Sequence, residues 1–312
     1  MQYRTLGRTG LKVSVMGIGA GGPSRLGQHN NIRTEAESIA LVLRGLDAGI
    51  NFIDTAEAYR TEEIVGAAVA QRDRSKIIIS SKKRLRGENI TGDELRAGLH
   101  DSLRRLGTDY IDVYHLHGLR PQQYDYYLSE ILPVMQDLQQ AGKIRFIGVT
   151  ENWSGDLEHK MLARAVSDGV WDVVMVGFNL LNQTARESVL QAASENDIGI
   201  LIMFAVRRAL SQPAKLKATL QNLIESGEVD PKDIDLANPL SFLVESGAAT
   251  SIADAAYRFC RDEPGTHVIL SGTGVPQHLD ANLATFERPP LPAAISARLK
   301  QIFRKSRSVT GG

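Results

Sequence analysis

At 312 residues, with 43% apolar and 23% charged side chains, the chain has room for one large barrel domain or two ordinary domains, and its composition excludes a fibrous or disordered protein. Its 36 Lys and Arg balance 36 Asp and Glu, so no net field draws it to nucleic acid or anionic lipid, and no oligomeric state is indicated. The lone Cys260 excludes an internal disulfide and, by itself, a zinc site; with no secretory pattern in MQYRTLGRTG and no long apolar run, a soluble cytoplasmic protein is expected.

Residues 1–14, with Gly7 and Gly10 as turn residues, read as a short hairpin. Apolar runs then recur at Val15–Gly19, Ile50–Ile53, Lys76–Ser80, Ile111–Leu116, Arg145–Val149, Val173–Val176, Ile198–Met203 and His267–Leu270. Most are almost continuously apolar, as parallel strands covered on both faces tend to be. The first run leads into Gly17-Ile18-Gly19-Ala20-Gly21-Gly22, which satisfies the dinucleotide-binding pattern G-x-G-x-x-G. That pattern should open a helix, but Pro23, Gly27 and a polar stretch to Arg33 delay it, which argues against a Rossmann fold. The glycines are read instead as close backbone packing at the bottom of a substrate pocket.

Thr34 and Glu37 predict a capping box ahead of the apolar face Ile39, Val42, Leu43 and Leu46, with Gly49 past the end. Thr91 and Glu94 repeat the signal before Leu95, Leu99, Leu103 and Leu106, and Gly107 stops that helix. Strand and helix in alternation demand right-handed crossovers, and the repeated units predict closure into a (β/α)8 TIM barrel forming a single domain over 1–312. Residues Arg207–Thr250 form a long insertion or lid after strand seven, with a helix expected over Lys215–Glu225 and another from Ser251.

In such a barrel chemistry sits at the C-terminal strand ends. Asp54 ends strand two, Tyr59 follows it, Lys82 lies just after strand three and His117 ends strand four. A hydride arriving at a carbonyl carbon leaves charge on oxygen, so a proton donor is needed, and tyrosine alone is too weak an acid. An ammonium such as Lys82 is expected to lower the Tyr59 pKa, a carboxylate such as Asp54 to hold the lysine, and His117 to orient the oxygen. His115 and His117 are read as pointing to opposite faces, hence as poor joint metal ligands.

The opening YRTLGRTGLKVS, then DTAEAY, SSK, DYIDVYHLHG, GKIRFIGVT and SGTGVPQHLDANL, in that order over nearly the whole chain, resemble the aldo-keto reductase family. The resemblance implies an NAD(P)(H)-dependent oxidoreductase that moves a hydride between nicotinamide and the carbonyl or alcohol of a small aldehyde, ketone or sugar. It makes Asp54, Tyr59, Lys82 and His117 the catalytic tetrad, with Tyr59 as general acid and base, and prefers Lys82 over Lys83.

At the implied cofactor positions the chain departs from the family pattern. Where the family commonly has Ser-Asn after strand five and Gln on strand six, this sequence has Thr150-Glu151 and Met175, with Asn152 as a replacement donor if the turn is shifted. Phe204 matches the aromatic that stacks on nicotinamide, and Arg207 and Arg208 are candidates for the diphosphate. The turn Ser271, Gly272, Thr273, Gly274, followed by Gln277, His278 and Asn282, resembles the adenosine-binding end. It lacks the Arg or Lys that usually meets a 2′-phosphate, so NAD is mildly favoured over NADP, and Gly274→Arg is expected to favour NADP. Trp153, Tyr124, Tyr126, Tyr127 and the insertion are the expected substrate contacts. The alternative is a non-catalytic barrel that binds nicotinamide nucleotide and regulates a partner.

Overall fold

Strands that are apolar on both sides need cover inside and out, and a closed parallel barrel ringed by helices supplies it. In the computed structural model, which describes residues 1–29, 32–85, 87 and 89–312, the hairpin strands are β1 (Tyr3–Thr5) and β2 (Lys12–Ser14). The barrel strands are β3 (Met16–Gly19), β4 (Phe52–Asp54), β5 (Ile78–Arg84), β6 (Ile111–Leu119), β7 (Ile144–Glu151), β8 (Val173–Gly177), β9 (Gly199–Met203) and β10 (Val268–Ser271). They close in the order β10-β3-β4-β5-β6-β7-β8-β9, parallel throughout.

Each of the eight apolar runs is a barrel strand. Between them the helix signals hold: α1 (Glu35–Asp47) and α3 (Gly92–Leu106) both begin with complete capping boxes, Thr34 with Glu37 and Thr91 with Glu94. Gly107 ends α3 at φ 62°, a left-handed conformation that glycine adopts without a Cβ penalty. Between these two lies α2 (Glu62–Val69). The insertion carries helices at Arg208–Ser211, Pro213–Glu225 and Phe242–Glu245, and the next helix, Ile252–Arg261, is capped by Ser251. Of the polar stretch before α1, Asn30 and Asn31 lie outside the described residues.

The hairpin decides which end of the barrel is open. Leu6, Leu11 and Val13 join an interior cluster with Phe52, Ile78, Val113, Val173, Met175, Leu201 and Val268. The Arg8 amide donates to the Asp197 carbonyl at 2.6 Å, just before β9 begins. The hairpin therefore plugs the N-terminal end with apolar side chains. Buried polar side chains gather at the other end: Asp54, Ser80, Lys82 and His115 are all under 4% exposed.

Candidate active site

Register and strand alternation bring these groups together. Asp54 of β4 pairs with Ser80 of β5, and Lys82, two residues on and on the same face, pairs with His115 of β6. Lys82 Nζ donates to Asp54 Oδ2 at 2.6 Å and to the Thr55 carbonyl at 2.7 Å, and the Ser80 hydroxyl donates to Asp54 Oδ1 at 2.8 Å. Nζ also lies 4.8 Å from the centroid of the Tyr59 ring. Tyr59 sits on a single turn, Glu57–Tyr59, after β4, and its hydroxyl is 3.4 Å from His117 Nε2 with the rings edge to face. The four expected residues thus form one connected group at the barrel mouth.

Burial and charge set the protonation states. Burial pulls the Lys82 ammonium down, but attraction to Asp54 and Tyr59 outweighs it, and its pKa lies above the ordinary value. Burial works on Asp54 in the opposite sense, raising its carboxyl against the lowering pull of Lys82 and Ser80. The raised lysine and the 2.6 Å contact describe a carboxylate held against an ammonium. For Tyr59 the expected lowering by Lys82 is present but is outweighed. Desolvation raises its pKa more than the Lys82 charge lowers it, and the Asp54 carboxylate adds to the rise. Tyr59 is therefore a phenol at neutral pH. Burial, with the Lys82 and Arg84 charges, holds His117 neutral, with a pKa of about 3.

The reading of His115 is also corrected. Strand side chains repeat every second residue, so His115 and His117 share the inner face. His115 packs against Gly148 so closely that a Cβ there would overlap the imidazole, and burial with the Lys82 charge keeps that ring neutral. Among the described residues, no group of three His, Cys, Asp or Glu side chains is arranged to hold a metal.

A glycine floor surrounds the site. A Cβ on Gly21 would run into the Tyr59 ring, and one on Gly272 would stand 2.9 Å from the Gly19 carbonyl oxygen. Gly17 and Gly21 are thus close-approach positions, whereas Gly22 faces open space, and these glycines do not open a phosphate-binding helix.

The implied cofactor residues divide into two sets. Thr150 faces the interior beside Met175; its hydroxyl accepts from the Gly118 amide at 2.8 Å and keeps its own proton to donate. Met175 is packed in the interior cluster. Asn152 is half-buried at the start of the Trp153–Gly155 turn. Glu151 points elsewhere. It is buried, bonded to His159 Nδ1 at 2.8 Å and to the Gly177 amide at 2.8 Å, and acts as an internal brace. Phe204, at φ 66°, lies nearly parallel to Trp153 with ring centroids 6.0 Å apart, and the Arg207 guanidinium stands 4.1 Å from its ring centroid. Arg207 in turn donates to the Thr310 hydroxyl at 2.6 Å.

At the far turn Ser271 accepts from Tyr257 and Asn282, and Thr273 Oγ1 accepts from the Val275 amide. Gln277 and His278 are exposed in the first turn of the helix Pro276–Glu287. Gly274 admits no side chain, since a Cβ would lie 2.5 Å from the backbone of Gly27, so the expectation for Gly274→Arg is withdrawn.

The three tyrosines expected in the substrate pocket have other partners. Tyr124 is buried and accepts from Trp171 Nε1 at 2.9 Å, Tyr126 donates to the Ile90 carbonyl, and Tyr127 accepts from the Ile90 amide. They pack loops and helices together. Sequence reading passed over Ser80 and placed His115 on the wrong face. The signal was present, since Ser80 and Lys82 alternate on one strand, as do His115 and His117.

The chain matches the Aldo/keto reductase family over residues 16–304. It is 32% identical over 304 residues to the aldo-keto reductase YhdN of Bacillus subtilis, an alignment covering 90% of this chain and 87% of that one. It is 36% identical over 157 residues to L-galactose dehydrogenase of Arabidopsis thaliana, covering 48% of each. Among solved structures, the thermostable aldo-keto reductase Tm1743 superposes with a TM-score of 0.73 at 25% identity, covering 97% of this chain and 100% of the other.

Proposed function

Because the chain belongs to the aldo/keto reductase family, and with it to the NAD(P)-dependent oxidoreductases, we propose that it interconverts a small aldehyde, ketone or sugar carbonyl with its alcohol, using Tyr59 as general acid and base. The observation that carries this reading is the buried Lys82 and Asp54 pair set against a phenol whose hydroxyl meets a neutral imidazole. A bound nicotinamide supplies or accepts the hydride. In the reducing direction the Tyr59 hydroxyl gives its proton to the oxygen that gains charge, and the Lys82 ammonium stabilises the tyrosinate left behind. Asp54, itself held by Ser80, and the Thr55 carbonyl fix Lys82, and neutral His117 orients the carbonyl oxygen beside the Tyr59 hydroxyl. In the oxidising direction the same groups return the proton.

A nicotinamide nucleotide fits the residues at the mouth. The Thr150 hydroxyl retains a donor for a carboxamide. Thr150 and Asn152 serve one end of the cofactor, and the turn Ser271–Gly274 with Gln277 and His278 the other. Phe204 serves as the stacking face once Arg207 turns away. Met175 contributes shape, and Asn282 acts through Ser271. NAD is favoured over NADP on the absence of Arg or Lys in the turn itself. The names of two relatives, L-galactose dehydrogenase and the NADH-specific methylglyoxal reductase of Escherichia coli, support sugars or small aldehydes as substrates. A single domain over 1–312 and a reducing, cytoplasmic setting accord with the closed barrel and the lone buried Cys260 thiol. Among the described residues no helix is long and apolar enough to cross a membrane.

The test is a panel of sugars, aldehydes and alcohols with NAD(H) and NADP(H), followed by the absorbance of the reduced nicotinamide. Turnover supports the reading; nucleotide binding without redox change across the panel would make the chain a binding module.

A further inference from the structure

Arginines on the helical ring, such as Arg44, Arg96 and Arg164, are held by the carboxylates of Asp280, Asp137 and Asp125 at 2.7, 2.8 and 2.6 Å. The open end of the barrel differs. Arg60 follows the Tyr59 turn after β4, Arg84 is the last residue of β5, and Arg120 directly follows β6. All three are exposed, and among the described residues none of their guanidinium groups has a carboxylate partner. The nearby carboxylates are engaged elsewhere: Asp54 closes on Lys82, Glu57 Oε1 accepts from the Arg84 backbone amide at 2.8 Å, and Glu57 Oε2 faces Lys83 Nζ at 3.5 Å. Three adjacent strands thus end in guanidinium groups free to meet a ligand, in a chain whose total charge is balanced.

Of the three, Arg84 stands nearest the chemistry. Ser80, Lys82 and Arg84 alternate along one face of β5, and Arg84 pairs in register with His117, whose Nε2 is 3.4 Å from the Tyr59 hydroxyl. Its charge is felt there, since it adds to burial and to Lys82 in holding that imidazole neutral. The residues assigned to the nucleotide lie on the other arc of the mouth, at the ends of β7, β8, β9 and β10, and the strand order leaves β4 to β6 for the substrate. We propose that the substrate is a carbonyl compound bearing an anionic group, a carboxylate or a phosphate, and that Arg84 is the residue that selects it, an inference that rests on the carbonyl–alcohol reading above. With the carbonyl oxygen at Tyr59 and His117, an anion a few bonds away meets the Arg84 guanidinium, whose planar fork matches two oxygens of either group. Arg60 and Arg120, from the strands on either side, add long-range attraction. Because Arg84 is exposed, the preference is moderate and weakens with salt.

Steady-state kinetics at low salt on matched aldehydes test this: succinic semialdehyde against butanal for a carboxylate, and glycolaldehyde phosphate against glycolaldehyde for a phosphate. Wild type is expected to favour the charged member of at least one pair by about tenfold in kcat/KM, chiefly through KM, as a charge-assisted contact should. The pair that shows the preference identifies the anion. Arg84→Gln should bring that ratio to about one and Arg84→Lys should restore part of it, with NADH affinity and urea midpoint near wild type in both. An enzyme that turns over other substrates but neither charged aldehyde, or that shows no preference in either pair, overturns the proposal. So does a ratio unchanged in Arg84→Gln, or a loss of NADH affinity in its place, which would assign the charge to the cofactor. Absence of turnover with every substrate and both cofactors overturns the carbonyl–alcohol reading instead.

Discussion

Lys82 Nζ stands 2.6 Å from Asp54 Oδ2, with the lysine side chain fully buried and the carboxylate 4% exposed. Two charges enclosed in this way are stable only together, since either one alone would be a buried, uncompensated ion. The pair joins the fold to the chemistry, because it presents a fixed positive charge to the Tyr59 ring.

Removing one partner should therefore cost stability as well as rate. Lys82→Met is expected to destabilise the protein by about 3–5 kcal/mol and to abolish most turnover. Adding Asp54→Asn should return much of the stability and none of the turnover. Lys83 is 3.5 Å from Glu57 at the partly buried edge of the same strand, and Lys83→Met should change stability by about 1 kcal/mol or less. Urea midpoints and kcat for the three variants check this; a Lys83→Met defect larger than that of Lys82→Met would place the wrong lysine at the centre.

The histidines predict a specific acid sensitivity. Burial is the main cause that depresses His117 to about 3 and His267 to about 4, and it also lowers His115 well below its ordinary range. The unfolded chain takes up these protons near pH ~6.5, before the folded one does. Their contribution is thus complete above that pH and is lost as pH falls toward about 4 and about 3. The slope is on the order of 1.4 kcal/mol per pH unit for each group while only the unfolded state is protonated. Denaturation midpoints between pH 7 and pH 4 should fall steeply, and less steeply in His117→Gln. An unchanged slope in that variant would show that His117 is not held neutral by the fold.

Gly21 controls the position of Tyr59. Gly21→Ala would push a methyl group into the Tyr59 ring, and a displacement of that kind at a reacting group lowers rate far more than binding. The expected result is a fall in kcat of at least about tenfold, with NADH affinity changed by less than about threefold. Equal kcat in Gly21→Ala and wild type would mean that the ring can yield without consequence.

The barrel was legible because its signals are local and repeated. Apolar runs such as Val173–Val176 and capping boxes such as Thr91 with Glu94 each specify an element without knowledge of the rest. The four candidate residues were legible through their places at strand ends, but their protonation states were not. Whether the Lys82 charge prevails at Tyr59 depends on how it compares with burial and the Asp54 carboxylate, a balance fixed only in three dimensions. Glu151 and the tyrosines Tyr124, Tyr126 and Tyr127 were misplaced for a related reason. Position after a strand says that a side chain is near the mouth, and only packing says whether it turns inward, as Glu151 does toward His159. Arg33 and Gly274 meet across the closure of the barrel, a long-range contact with no sequence signature.

The most direct test of the central claim is the turnover of Tyr59→Phe on the best substrate found in the panel, measured alongside its NADH affinity and its urea midpoint. The substitution removes one hydroxyl and leaves the ring between Gly21, Lys82 and His117. If Tyr59 is the proton donor, kcat falls by about 10²- to 10⁴-fold while affinity and midpoint stay near wild type. A Tyr59→Phe enzyme that turns over at close to the wild-type rate would contradict the account, because no proton from Tyr59 would then be needed.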